Sequence, residues 1–436
     1  MVYGPKSNNR LIMTVVESER KRQREFFSLQ FQRRLKRSPG YSPLKSSQAR
    51  ERAIFRLLME SFREGSSVVW KSTFVPSEII YALGAIPLYV ESFSAVASAV
   101  EICSPMLDAS EQCGYSRDSC TFLRAVLGAS HKDILPRPDA LVSTSYYCDG
   151  DPKIFDTFAE GYKKPHFYLH VPYNVEAEWA VDLLAEQLEE VTLELARLLG
   201  RPFHKERLSE IIQHSNEARR HLLKANELRR HVPSPMLGCE AIDYITAITQ
   251  LWGSPELVRI SRLLCEELEE RIGKGLSAVE GEQFRLLWCH LRPYYNDEVF
   301  NYLEGHHKAV VAFESVNLIT WGEMDTERPF KGLAEKLLAN PAIGPYERMT
   351  REVIKMVRDY QIDGLIWMSP WGCRHFNSMA QLVKDGLKKT VDVPFYILDL
   401  ECIDKRNYSK EQVRTRLDAF VEVLEGKKIR SQQKEL

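Results

Sequence analysis

The chain reads as an α/β protein made of two doubly wound parallel-sheet lobes, joined by a helical section and preceded by a helical N-terminal arm. Three observations carry that reading. Its 436 residues exceed the size at which one hydrophobic core stops growing, so more than one core is expected. Short apolar runs bounded by Gly, Pro and polar turn residues alternate with helical patterns towards both ends, the order of parallel crossover units. Between them, from about Ala177 to Gly273, long polar-apolar helical patterns dominate.

Residues 1–64 are expected to form the helical extension. Arg20-Lys21-Arg22, Arg33-Arg34 and Lys36-Arg37 are set there among Phe26, Phe27, Leu29, Phe31 and Leu35, a pattern that suits a solvated helix packing its aromatics on a neighbour better than a basic arm for nucleic acid or membrane. The first lobe is 65–200. Val68-Val69-Trp70 leads to Pro76, Ser77 to Leu83 reads as a short helix, and Gly84 to Val90 as a turn into a strand. Ala140 to Tyr147 and His166 to Val171 are strands around a helix from about Pro152 to Tyr162. A helix from Ala177 to Leu199 is stopped by Gly200. The connecting section, 201–280, holds helices from Lys205 to about Arg230 and from Ser254 to about Gly273, the latter with Leu257, Ile260, Leu264, Leu268 and Ile272 on one face. In the second lobe, 281–436, Phe284 to Leu291, Ala309 to Phe313, Gly364 to Met368 and Phe395 to Leu400 are strands. Helices fall at about 346–360, 374–389 and 409–425, so the lobes read as distant copies of one design.

Apolar and charged fractions of 44% and 27% are those of an ordinary globular protein, and a net charge of −1 gives no electrostatic reason for a nucleic-acid partner. Neither a membrane-length apolar span nor a signal-peptide pattern is found, so a cytoplasmic protein is expected. The nine cysteines include no CxxC pair and do not resemble a secreted disulfide framework; they read as thiols, available as ligands or as core filler. There is no GxxxxGK[ST] loop, and Gly273-Lys274-Gly275 follows a helix instead of joining a strand to one. GxSxG and HExxH are missing too, and His306-His307 lacks spaced partners. ATP or NAD binding by the usual loops, serine hydrolysis and zinc proteolysis all lose their footing.

What remains is cysteine. Cys148 follows the apolar run Leu141 to Tyr147, Cys373 follows Gly364 to Pro370, and each opens into a helix. Both thus sit at the carboxyl edge of a sheet, where open α/β folds hold ligands. Cys120 lies near a third helix start. Amides and positive helix ends there would stabilise an anionic thiolate group, and three thiolates suit an iron–sulfur cluster with one corner left open. Cys402 also follows an apolar strand and stands in reserve. Cys289 and Cys265 read as core, and Cys103, Cys113 and Cys239 as loop or helix-end residues.

Several separated motifs, in order, resemble the family of 2-hydroxyacyl-CoA dehydratase and benzoyl-CoA reductase iron–sulfur subunits, over about Ser72 to Leu424. They are Thr73 to Pro87, Cys120-Thr121-Phe122-Leu123-Arg124, Tyr147-Cys148-Asp149, Gly372-Cys373-Arg374 and Arg414 to Glu422. The resemblance implies a [4Fe–4S] cluster on Cys120, Cys148 and Cys373, and an acyl-CoA substrate whose thioester meets the open iron. It also implies a similar second subunit, in a hetero- or homodimer, and a separate ATP-dependent activator that delivers the electron. Water would leave a 2-hydroxyacyl-CoA through a ketyl radical to give an enoyl-CoA. Thr73 and Glu91 match by position a hydroxyl and a carboxylate that the family places by the cluster in one dehydratase subunit; their plainer readings are a helix N-cap region and a solvated loop.

Two features qualify the likeness. The stretch between Phe313 and Pro345 is similar to the longer loop of the reductase type. Trp288-Cys289-His290-Leu291-Arg292-Pro293 offers one cysteine where double-cluster relatives carry more, so a single cluster is expected. The alternatives to dehydration are therefore reduction of an aromatic acyl-CoA and a non-catalytic electron-transfer subunit. Lys163, Lys164 and Arg374 could meet CoA phosphates but read equally as surface residues.

Overall fold

In the computed structural model the described residues are Lys21, Arg22, Glu25, Leu29 and 44–435, except 147 and 297. Most of the arm expected around Arg20 to Arg37 lies outside them. Two four-stranded parallel sheets form the frame. The first holds β1 (Val68–Lys71), β2 (Ile86–Tyr89), β3 (Ala140–Thr144) and β4 (His166–Leu169), in the spatial order β2-β1-β3-β4. The second holds β5 (Phe284–Cys289), β6 (Ala309–Glu314), β7 (Gly364–Met368) and β8 (Phe395–Leu398), in the order β6-β5-β7-β8. The two orders are the same, which makes β3 and β7 topological equivalents. In each sheet the winding reverses between the first and third strands, opening a crevice at their carboxyl ends.

Every residue of β1, β3, β5, β6 and β7 is buried, as parallel strands covered on both faces must be. Trp70, Trp288 and Trp367 lie fully buried on β1, β5 and β7. Phe158 and Tyr162 meet Trp70 edge-on, each with centroids 5.1 Å apart. One hydrophobic core runs from Trp70, Leu88 and Phe155 into Leu286, Trp288 and Ile366, so the lobes share packed interior. Gly128 lets helix Thr121–His131 cross close to helix Ser104–Gln112: a Cβ there would stand 1.7 Å from the Met106 carbonyl oxygen.

Helix Ala180–Leu199 closes the first lobe, and Lys205–Leu228 and Pro255–Gly273 are the long helices that follow it. Gly200 ends the first in a left-handed conformation, φ 63°, which favours glycine. Ser254 caps the third by accepting the Leu257 amide at 3.2 Å. Helix Lys45–Ser61 packs on that third helix, with Glu267 accepting the Lys45 and Ser46 amides at 2.6 and 2.9 Å. No helix among the described residues is long and apolar enough to cross a membrane.

Boundaries differ from expectation where side chains intervene. β3 stops at Thr144, whose hydroxyl donates to the Tyr146 carbonyl at 2.6 Å and closes a turn. The final helix runs on from Lys410 to Glu435. The stretch read as a long loop after β6 contains helix Pro329–Leu338, which buries Phe330, Leu333, Ala334 and Leu337 against helix Ala180–Leu199.

Candidate active site

A cavity of about 260 Å³ opens between the lobes, where the segments after four strands meet: Thr73 after β1, Cys148 after β3, His290 after β5 and Cys373 after β7. Cys120 joins them, so the three sequence-selected cysteines line one cavity. Each sits at a helix start. Cys120 is the N-cap residue of helix Thr121–His131, where the nearby amides of Phe122 and Leu123 favour its thiolate. Cys373 is the N-cap residue of helix Arg374–Lys388, where the nearby Phe376 amide favours its thiolate. Cys148 lies two residues before Gly150, the N-cap of helix Asp151–Tyr162, whose nearby amide favours its thiolate. Amides and helix dipoles together favour negative charge at all three sulfurs.

Burial opposes that charge. It pushes the Cys120 thiol up to about 12 and the Cys373 thiol to about 11, and it raises Cys148 strongly. Cys373 adds to the rise at Cys120, while Asp151 and then Cys120 add to that at Cys148; the sulfurs feel one another across the cavity. Thiolates here need a cation to replace the proton, which is what a bound metal supplies. Among the described residues no three His, Cys, Asp or Glu side chains close on a point tightly enough for a single metal ion. The Cys373 sulfur also lies 3.5 Å from Nε2 of His290, a buried ring that desolvation lowers to about 3 and so keeps neutral.

The cysteine loops are fastened across the lobes. Glu401, just beyond β8, accepts the Thr121 hydroxyl at 2.7 Å and the Trp371 amide at 2.8 Å, tying the Cys120 segment to the Cys373 segment. Buried Arg124 donates to the Ser119 carbonyl at 3.2 Å and to Asp404 at 3.4 Å. Gly372 lies directly against the backbone of Cys120. Cys402 is fully buried and stands off the cavity wall; Cys103, Cys265 and Cys289 are core residues.

Thr73 and Glu91 both line the cavity, and neither sits as its plainer reading had it. The Thr73 hydroxyl donates to Tyr89 Oη at 3.0 Å, while the cap of the next helix is Pro76. Glu91 is buried, and neither carboxyl oxygen meets a donor in full hydrogen-bond geometry. Burial, then the neighbouring Asp151 carboxyl, hold its pKa well above the usual carboxylate range. Lys71 is buried beside this pair and lowered to about 7, mainly by desolvation; its ammonium donates to the carbonyls of Thr249 at 2.8 Å and Thr73 at 3.3 Å. Sequence reasoning missed Lys71, Asp151, His290 and Glu401. A lysine ending an otherwise apolar strand, and an acid in the first helical turn after Cys148, were the available signals. Arg374 lines the cavity, paired with Asp149 at 2.5 Å, whereas Lys163 and Lys164 do not line it.

Fold and site together define a two-lobed α/β protein with a cavity between the lobes that Cys120, Cys148 and Cys373 line. Residues 72–424 match the family model described as 2-hydroxyglutaryl-CoA dehydratase, D-component, and the chain belongs to that family. It is 22% identical to the (R)-phenyllactyl-CoA dehydratase alpha subunit of Clostridium sporogenes, over 85% of this chain and 92% of that protein. Identity to a benzoyl-CoA reductase subunit of Thauera aromatica is 27%, over 74% and 80%. To the (R)-2-hydroxyisocaproyl-CoA dehydratase alpha subunit of Clostridioides difficile it is 23%, over 84% and 92%.

Proposed function

We propose that this chain is the iron–sulfur subunit of a cytoplasmic 2-hydroxyacyl-CoA dehydratase, removing water from a 2-hydroxyacyl-CoA to give an enoyl-CoA. The observation that carries the reading is the meeting of Cys120, Cys148 and Cys373, from both lobes and three helix starts, on one cavity. Three sulfurs that share one cavity suit an iron–sulfur core with one corner left open. Held by those three residues, a [4Fe–4S] cluster would supply an open iron and a low-potential electron, allowing elimination through a ketyl radical of the thioester.

The chain's own residues do the rest. Loss of water takes hydroxide from C2 and a proton from C3. Glu91, buried beside Asp151 and favouring its protonated form, would carry a proton between the cavity and the substrate. Thr73, hydrogen-bonded to Tyr89 at 3.0 Å, lines the cavity and would orient a bound water or hydroxyl. Relatives named as single subunits of larger enzymes support a second, similar subunit here. The missing phosphate loop suits a separate ATP-dependent activator.

Reduction of an aromatic acyl-CoA is the second reading, favoured by the identity to the subunit named for benzoyl-CoA reductase. Product analysis with partner and activator present decides between them: enoyl-CoA from a 2-hydroxyacyl-CoA is expected, and turnover of benzoyl-CoA alone would replace dehydration with reduction. An electron paramagnetic resonance spectrum unchanged by either thioester would leave only an electron-transfer role.

A further inference from the structure

The part of the cavity wall away from sulfur chemistry has its own character. Trp252 and Trp321 line it edge to face, with centroids 5.1 Å apart and planes at 78°. Phe74, Ile248, Leu318 and Ile319 extend the apolar surface. Two basic side chains, Lys336 and Arg374, occur among the described lining residues, and both are already neutralised. The Lys336 ammonium lies 4.5 Å from the Trp252 ring and 5.1 Å from the Trp321 ring, and is held at 2.5 Å by Glu78. Glu78 is itself fully buried and also accepts the Ser215 hydroxyl at 2.7 Å. Arg374 is held by Asp149. The remaining carboxyl groups among the described lining residues, Glu91, Asp151 and Glu401, add no cation.

A second carboxylate on a substrate would be stripped of water against the tryptophans and would find no uncommitted cation on the lining. An apolar group would bury its surface on the same wall at no electrostatic cost. We propose that the Trp252–Trp321 wall is the acyl subsite, and that it takes an uncharged apolar acyl group, aromatic or branched aliphatic, and rejects one that ends in a carboxylate. This rests on the acyl-CoA reading above and narrows its substrate class.

The test is equilibrium binding to the cluster-loaded protein with its partner subunit. Three probes are compared: 2-hydroxy-4-methylpentanoyl-CoA, the near-isosteric 2-hydroxysuccinyl-CoA in which a carboxylate replaces the isopropyl group, and CoA itself. The neutral thioester is expected to bind at least about tenfold tighter than the charged one, the scale on which a site discriminates against an unpaired polar group. Equal or tighter binding of the charged thioester overturns the subsite and leaves the acyl-CoA reading standing. Binding of neither thioester overturns both. Trp321→Ala is expected to weaken the neutral thioester at least about fivefold with CoA affinity unchanged. An equal loss for CoA would make Trp321 a merely structural residue and overturn its role, and the wild-type comparison stands alone if that variant does not fold.

Discussion

Replacing Gly372 with alanine strikes the contact through which the two lobes bring their cysteines together. A Cβ at residue 372 would stand 2.5 Å from both Cα and N of Cys120 and 2.8 Å from the carbonyl carbon of Ser119. Ordinary contact begins at 3.4 Å, so the loops would have to part by nearly 1 Å. No flexible side chain can give way, because all three atoms are backbone, in a segment held by Arg124 at the Ser119 carbonyl and by Glu401 at Thr121. Overpacking of this kind costs about 1–3 kcal/mol. Denaturant unfolding of the anaerobically purified variant, followed with iron analysis of the folded fraction, reads both consequences. Stability should fall by that amount, and the folded protein should hold less iron than wild type, since Cys373 would be displaced from Cys120. Unchanged stability together with full iron would refute the reasoning.

Glu304 gives a pH dependence of definite sign. Its Oε1 accepts the Gly238 and Val311 amides at 2.7 and 3.2 Å, and burial lifts its pKa from 4.5 to about 8. The folded state therefore keeps a proton that the unfolded chain releases. The stability it contributes is full below about pH 4.5 and is lost as pH rises to about 8, by at most about 1.4 kcal/mol per pH unit. Glu304→Gln should flatten that part of the stability profile; parallel profiles for variant and wild type would contradict the assignment. Arg229 and Glu314 form a buried bidentate pair at 2.9 and 2.7 Å. Arg229→Met should cost about 3–5 kcal/mol in urea unfolding by leaving Glu314 uncompensated, and Arg229→Met with Glu314→Leu should recover much of it. A double variant no more stable than the single one would count against this account of the pair.

The legibility of the chain followed the range of its interactions. Cys148 and Cys373 could be placed at a sheet edge because a strand run before each and a helical pattern after each are local signals, and β3 and β7 prove to be equivalent strands. Cys120 has no strand behind it; a helix start was its local signal, and family likeness strengthened the choice. Helix Pro329–Leu338 was hidden by the polar stretch that precedes it, although Phe330, Leu333, Ala334 and Leu337 recur at helical spacing. Glu401 could not be read at all. Its role comes from Thr121, 280 residues away, and from a loop geometry that local pattern does not encode. The same holds for Glu91, whose neighbour Asp151 arrives from another crossover unit and turns a residue readable as solvated into a buried acid.

The central claim is that one inorganic core is shared by three sulfurs. Anaerobic purification with iron and acid-labile sulfide analysis tests it most directly, on wild type and on Cys120→Ala, Cys148→Ala, Cys373→Ala and Cys402→Ala. The account predicts about four irons per chain in wild type and in Cys402→Ala, with the cluster lost from each of the other three. Full iron in any one of those three, or none in the wild-type protein, would contradict it.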